Sequence, residues 1–112
     1  MERVFFVFEL LPGCVEEYQR RHDAIWPEMS QLLDRAGVFD YSIFNRGTML
    51  YGCFKAVPDW ATASAINRAS TVQQRWEAYM ADLIAWQLDE NNQLQTGREV
   101  FRHEGRLRIV PA

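Results

Sequence analysis

Val4-Phe5-Phe6-Val7-Phe8-Glu9-Leu10 sets β-branched and aromatic residues almost side by side and is broken by Pro12-Gly13. Such side chains pack well on a pleated surface, and the run is too short for an ordinary helix, so it reads as a strand. Successive side chains of a strand point to opposite faces. Aromatic groups therefore stand on both sides of this strand, and both sides need cover. One layer of helices covers one face of a sheet. The other face requires a ligand, a second subunit, or both.

The segments downstream supply the helices and the remaining strands. Glu16 and Glu17 suit the positive end of a helix dipole, and the helix they open runs from about Val15 to Ala36. Trp26-Pro27 bends or restarts it, with proline best placed as the first residue of the second half, and Gly37 is a natural residue to end it. Tyr41–Asn45 and Met49–Phe54 are β-like runs joined by Arg46-Gly47-Thr48, a turn with a glycine free to take positive φ, which predicts a hairpin. Alternation places Tyr41, Ile43 and Asn45 on one face, and Ser42 and Phe44 on the other, with the Tyr41 phenol reaching toward an open sheet face. Asp59 is placed to cap a helix starting at Trp60, and Ser70 with Gln73 resembles a capping box that starts another. Val72, Trp76, Tyr79, Met80 and Leu83 recur at spacings of three and four and make an apolar helical stripe. After a polar stretch from Asp89 to Gly97, a last strand is expected near Glu99–Phe101, and Leu107–Val110 as an edge strand or a tail reaching a partner. The order is β-α-β-β-α-β. It predicts an α+β, ferredoxin-like antiparallel sheet with helices on one face, in a single domain over 1–112 with 103–112 a C-terminal extension.

With 112 residues and 48% apolar composition, one modest core is feasible. A net charge of −3 without a long basic block gives no reason to expect nucleic acid or a membrane surface as partner. No stretch approaches the roughly 20 apolar residues of a membrane span, and the N-terminal apolar run lacks the flanks of a signal peptide. Cys14 and Cys53 match no metal spacing and read as free thiols of a reducing compartment. A soluble, cytoplasmic protein is expected.

The chemistry-bearing candidates cluster on the first helix. Tyr18 and His22 lie four residues apart and share a helical face, with Trp26 four residues further. A phenol beside an imidazole that titrates near neutrality is a kit for moving protons at a small polar ligand, and aromatic walls hold ring-shaped ligands. Each residue also has a plainer role open to it. His22 can face solvent, Tyr18 and Tyr41 can serve packing, Trp76 can belong to the core stripe, and Glu77 can be a solvated carboxylate. Arg20, Arg21 and Arg75 can orient hydroxyls, although Glu17 is spaced to pair with Arg21. His103 lies in a charged run. There is no dinucleotide fingerprint, P-loop, nucleophile elbow or zinc-protease motif, so neither cofactor nor metal is expected. Cofactor-free proton transfer passes this filter.

The run EEYQRRHDAIWPEM from Glu16 to Met29, the strand start Tyr41-Ser42-Ile43, and Gln74–Asp82 resemble the L-rhamnose mutarotase family over about residues 3 to 83. The resemblance implies a ferredoxin-like domain that pairs its sheet with a second copy, as a homodimeric α/β barrel. It implies interconversion of the α and β anomers of a 6-deoxyhexose pyranose, with His22 as proton donor and Tyr18, Tyr41, Trp76 and position 77 contacting the sugar. Two features depart from the pattern. Glu77 stands where many members carry a second tryptophan, and Trp86–Gln93 stands where many have an Asn-Pro-Asp-Asn-Ser-Pro-like segment. Both bear on the choice of sugar. Besides an L-rhamnose mutarotase, the sequence leaves open an L-fucose mutarotase, a cofactor-free monooxygenase of the same architecture, and a non-catalytic sugar-binding protein.

Overall fold

A computed structural model describes residues 1–106 of the chain. The apolar run at the N-terminus is strand β1 (Glu2–Leu10), at the centre of an antiparallel sheet of order β2-β3-β1-β4. Val4, Phe6, Phe8 and Leu10 are all buried on one face of β1, while Phe5 on the other is 43% exposed. Strands β2 (Val38–Arg46) and β3 (Met49–Ala56) form the expected hairpin, turning at Gly47 with φ 59°. Gly52 of β3 lies opposite Phe6 of β1, and the Phe6 ring occupies the space that a β-carbon at position 52 would need. The strand glycine is thus a seat for an aromatic ring.

The helices lie on the Phe6–Phe8 face. Helix α1 (Val15–Asp23) stops, and α2 (Pro27–Ala36) restarts with proline at its first turn, where the missing N–H breaks no bond. Trp26 between them is extended (ψ 133°), as a residue before proline prefers. Gly37 ends α2 at φ 82° and lies against the Val57 carbonyl, leaving no room for a side chain. Asp59 Oδ1 accepts from the Thr62 N–H at 2.8 Å and starts α3 (Trp60–Arg68); Ser70 Oγ accepts from the Val72 N–H at 3.2 Å and starts α4 (Thr71–Met80). The return half of the Ser70 capping box does not form: the Ser70 N–H donates to the Asn67 carbonyl at 3.1 Å, and the Gln73 carboxamide bonds Glu77.

Two expectations are corrected. The first concerns Tyr41. The β2–β3 register is irregular between Phe39 and Ser42, and Asp40 takes φ 51°. Asp40 and Tyr41 together oppose the single residue Phe54, a β-bulge that shifts the alternation by one. Val38 and Tyr41 consequently both face the helices, and the Tyr41 ring packs on Phe6 and Phe54 at centroid distances of 6.0 and 5.2 Å. It does not reach the open face. The second concerns the last strand. Residues 99–101 form none, and Val100 and Phe101 are each 83% exposed. A 3₁₀ turn (Ala81–Leu83), anchored by buried Leu83, delivers the chain into β4 (Ile84–Trp86) directly after α4. Beyond it, Asp89 Oδ1 accepts from the Asn91 and Gln93 N–H groups, and the resulting reversal brings β5 (Thr96–Gly97) onto β1 at Phe5–Phe6. Two short pieces thus fill the edge expected to hold one strand. Leu107–Val110 lies outside the described residues.

Candidate active site

Tyr18 and His22 share the inward face of α1, as their spacing predicts. The Tyr18 ring lies over Phe8 of β1 at 5.8 Å, and the residue is 8% exposed. The His22 imidazole stacks on Tyr18 with ring centroids 4.2 Å apart and planes 28° from parallel. Trp76 of α4 meets the imidazole edge to face, at 5.3 Å and 84°. Trp26, at the helix restart, packs on Trp76 at 5.1 Å and on Tyr79 at 5.4 Å. His22 thus packs against two aromatic rings, with a second aromatic layer behind Trp76. A chain of ring contacts continues from Tyr18 through Phe8 and Phe6 to Tyr41, which links α1 to the bulged strand.

His22 Nδ1 lies 3.1 Å from the Tyr18 carbonyl oxygen. A carbonyl only accepts, so the bond requires Nδ1–H, and in the neutral ring Nε2 carries the free lone pair. Burial pushes the imidazole below the ordinary histidine value, outweighing the opposite effects of the Tyr18 carbonyl and the Asp23 charge. His22 is accordingly neutral at pH 7. Burial pushes the Tyr18 phenol well above the ordinary tyrosine range, with a further rise from the charge of Tyr41. Desolvation raises the Tyr41 phenol similarly. Both tyrosines stay protonated and can donate hydrogen bonds.

An ionic network fixes this face of α1. Arg21 Nε donates to Glu17 at 2.7 Å, and its terminal nitrogens donate to Asp82 at 2.9 and 3.2 Å and to the Tyr79 carbonyl at 2.8 Å. The guanidinium also covers the Tyr79 ring at 4.6 Å. Hydrogen bonds from Arg20 and Arg21 hold the Glu17 carboxyl down to about 2. Arg75 pairs with Glu28 at 3.1 Å and lies over Trp26. These arginines are occupied by acids, and His103 is exposed in the C-terminal segment. Tyr18, His22 and Trp76 are therefore gathered, with Tyr41 joined to them through the sheet. Glu77 does not join the ring cluster; it is exposed and accepts from Gln73 at 2.9 Å. The sequence reading did not single out Tyr79 as a wall or Arg21 as a tie to α4. The spacing of Tyr79 three residues after Trp76 carried the first signal, whereas the Arg21–Asp82 contact joins distant segments and has no local one.

A split βαβ sheet with a half-buried, tethered imidazole in an aromatic recess defines a small ferredoxin-like protein equipped for acid–base chemistry without a cofactor motif. Comparison with known proteins narrows that class. A profile for L-rhamnose mutarotase matches residues 3–103. The L-rhamnose mutarotase of Jannaschia sp. (strain CCS1) is 44% identical over 89 residues, covering 75% of this chain and 81% of the relative. That of Verminephrobacter eiseniae (strain EF01-2) is 43% identical over 90 residues, covering 79% and 83%. The crystal structure of an L-rhamnose mutarotase from Formosa agariphila superposes with a TM-score of 0.75 at 31% identity, covering 93% of this chain and all of that one. The chain belongs to the L-rhamnose mutarotase family. Tetracenomycin F2 cyclase from Streptomyces glaucescens, a type-II polyketide cyclase, shares the fold at a TM-score of 0.62 and 13% identity.

Proposed function

We propose that this chain is an L-rhamnose mutarotase in which His22 carries a proton between the anomeric hydroxyl and the ring oxygen of the sugar. The observation that supports this most directly is the tethered imidazole. With Nδ1–H held by the Tyr18 carbonyl, Nε2 is the one nitrogen free for chemistry, and burial keeps it unprotonated at rest. In ring opening, Nε2 takes the proton of the anomeric hydroxyl, the C1–O5 bond breaks as the C1 carbonyl forms, and the imidazolium returns the proton to O5. Both oxygens are bonded to C1, so one nitrogen serves both. Rotation about C1–C2 and the reverse sequence give the other anomer. Tyr18 and Tyr41 donate hydrogen bonds to sugar oxygens, and Trp76 packs on the apolar face of the sugar. The domain works in the cytoplasm as a homodimer, its partner covering the open sheet face that carries Phe5 and Phe44.

Saturation-transfer NMR on L-rhamnose measures the exchange between anomers. The wild-type chain is expected to accelerate it, and His22→Ala to lose roughly 10²–10⁴-fold of the acceleration, the usual contribution of a positioned acid–base group. Full exchange by His22→Ala would remove His22 from the role. An L-fucose mutarotase is the second reading, since the polar pair that Glu77 makes with Gln73 beside Trp76 bears on the choice of sugar. A higher kcat/KM on L-fucose than on L-rhamnose would establish that reading.

A further inference from the structure

Glu77 and Gln73 form a polar pair on the flank of Trp76 opposite Tyr79. On α4, Gln73 and Glu77 lie to one side of Trp76, three residues before it and one after; Arg75 and Tyr79 lie to the other, where Trp26 packs. One flank of Trp76 is closed by aromatic rings. The other carries a carboxamide and a carboxylate. Gln73 Nε2 donates to Glu77 Oε1 at 2.9 Å, which fixes the sense of the amide, since a carboxylate only accepts and the NH₂ must face it. Gln73 Oε1 is turned inward, buried, with no protein donor in reach. A buried acceptor without a donor is unfavourable, and in a native fold it calls for an explanation. Asn67 Oδ1 shares this state, but it belongs to α3, whereas the rings that meet His22 come from α1 and α4.

We propose that Gln73 is a specificity-determining residue, its Oε1 accepting a hydrogen bond from one ring hydroxyl of the sugar while Glu77 holds its NH₂. This rests on the mutarotase reading and adds to it a residue that reads a hydroxyl away from C1. The terminal torsion of glutamine is soft and Glu77 is exposed, so the amide can turn Oε1 toward a bound sugar while the Glu77 carboxylate follows the NH₂. A site built to accept from a hydroxyl rejects the analogue that lacks it, because the acceptor is then left unpaired.

The test compares wild type, Gln73→Met and Gln73→Leu in saturation-transfer exchange on L-rhamnose and on its monodeoxy analogues at C2, C3 and C4, with the thermal midpoint of each protein. Wild type is expected to disfavour one analogue by about tenfold in kcat/KM, the scale of one lost hydrogen bond. Both variants are expected to raise KM for L-rhamnose by a similar factor with kcat little changed, to lose that single discrimination, and to keep or raise the thermal midpoint. A wild-type KM in either folded variant, or a fall in midpoint with discrimination intact, would reduce Gln73 to a structural residue. If both variants fail to fold, the analogue series on wild type alone decides, since equal kcat/KM across all three overturns the assignment. Absence of exchange by wild type on L-rhamnose and L-fucose alike is a different result, and it would overturn the mutarotase reading itself.

Discussion

His22 makes the pH dependence of activity and of stability follow from one side chain. Its imidazole is held below the ordinary value of about 6.5 by burial against Tyr18 and Trp76. The unfolded chain therefore binds the proton more readily than the folded one. Above about pH 6.5 neither state is protonated at this site and its stabilising contribution is complete. As pH falls from there toward the lower folded value, that contribution is lost. Activity is expected to follow the folded-state value: catalysed anomer exchange, corrected for the uncatalysed rate, stays flat through neutrality and declines below pH 6.5 as Nε2 becomes protonated at rest. An NMR titration of the His22 ring should give the same midpoint as the rate profile. A midpoint above 6.5 in either measurement would contradict the desolvated imidazole. Glu17 acts lower on the scale. With its carboxyl held at about 2 against 4.5, the stability it contributes is present above pH 4.5 and fades as pH falls toward 2. A Glu17→Gln chain should accordingly show a shallower loss of thermal midpoint over that acid range.

At the scale of elements, the site depends on two irregularities of the sheet. One is the seat at Gly52. Adding a methyl group there meets the Phe6 ring, so Gly52→Ala is expected to destabilise the fold by about 1–3 kcal/mol, the usual cost of overpacking. Adding Phe6→Leu is expected to recover part of that loss, measured as non-additivity in a denaturant-unfolding cycle. Equal losses with and without Phe6→Leu would mean that the ring is not what the methyl group meets. The other irregularity is the bulge at Asp40, which turns Tyr41 inward. Tyr41→Phe keeps the ring packed on Phe6 and Phe54 and removes only the phenol, so KM for the sugar should rise. An unchanged KM would remove Tyr41 from the binding site. These features also mark how far the sequence was legible. The strand Val4–Leu10, the helix restart at Pro27, the caps at Asp59 and Ser70 and the Tyr18–His22 face are all local, set by spacing, turn chemistry and propensity. The Asp40 bulge is legible only once Phe54 is known to lie opposite. The split edge of β4 and β5 depends on where Leu83 anchors and on the reversal at Asp89, both decided by tertiary contacts. Glu77 stood beside Trp76 in the sequence, yet helical geometry sends it to Gln73 and away from the rings.

Among the described residues, the sheet face away from the helices is left uncovered. On the sheet face away from the helices, Phe44 is 63% exposed and Phe5 43%, with Tyr51 stacked on Phe5 and Cys53 exposed beside them. A contiguous aromatic patch on a sheet is disfavoured in water, and a second copy presenting the same patch is the simplest cover, since an isologous contact is self-complementary. The expected state is a dimer by light scattering at tens of micromolar, and Phe44→Glu is expected to yield a folded monomer, because each dimer would bury two carboxylates against apolar rings. A wild-type chain that stays monomeric at that concentration would overturn this pairing. The same variant separates assembly from catalysis. The ring contacts of His22 with Tyr18 and Trp76, and of Trp76 with Trp26, are made within one chain and on the opposite side of the sheet from Phe44. The folded Phe44→Glu monomer is therefore expected to keep accelerating anomer exchange, with kcat within several-fold of the dimer. A folded monomer without exchange would instead mean that the partner contributes a residue to the pocket, and that two chains together make each site.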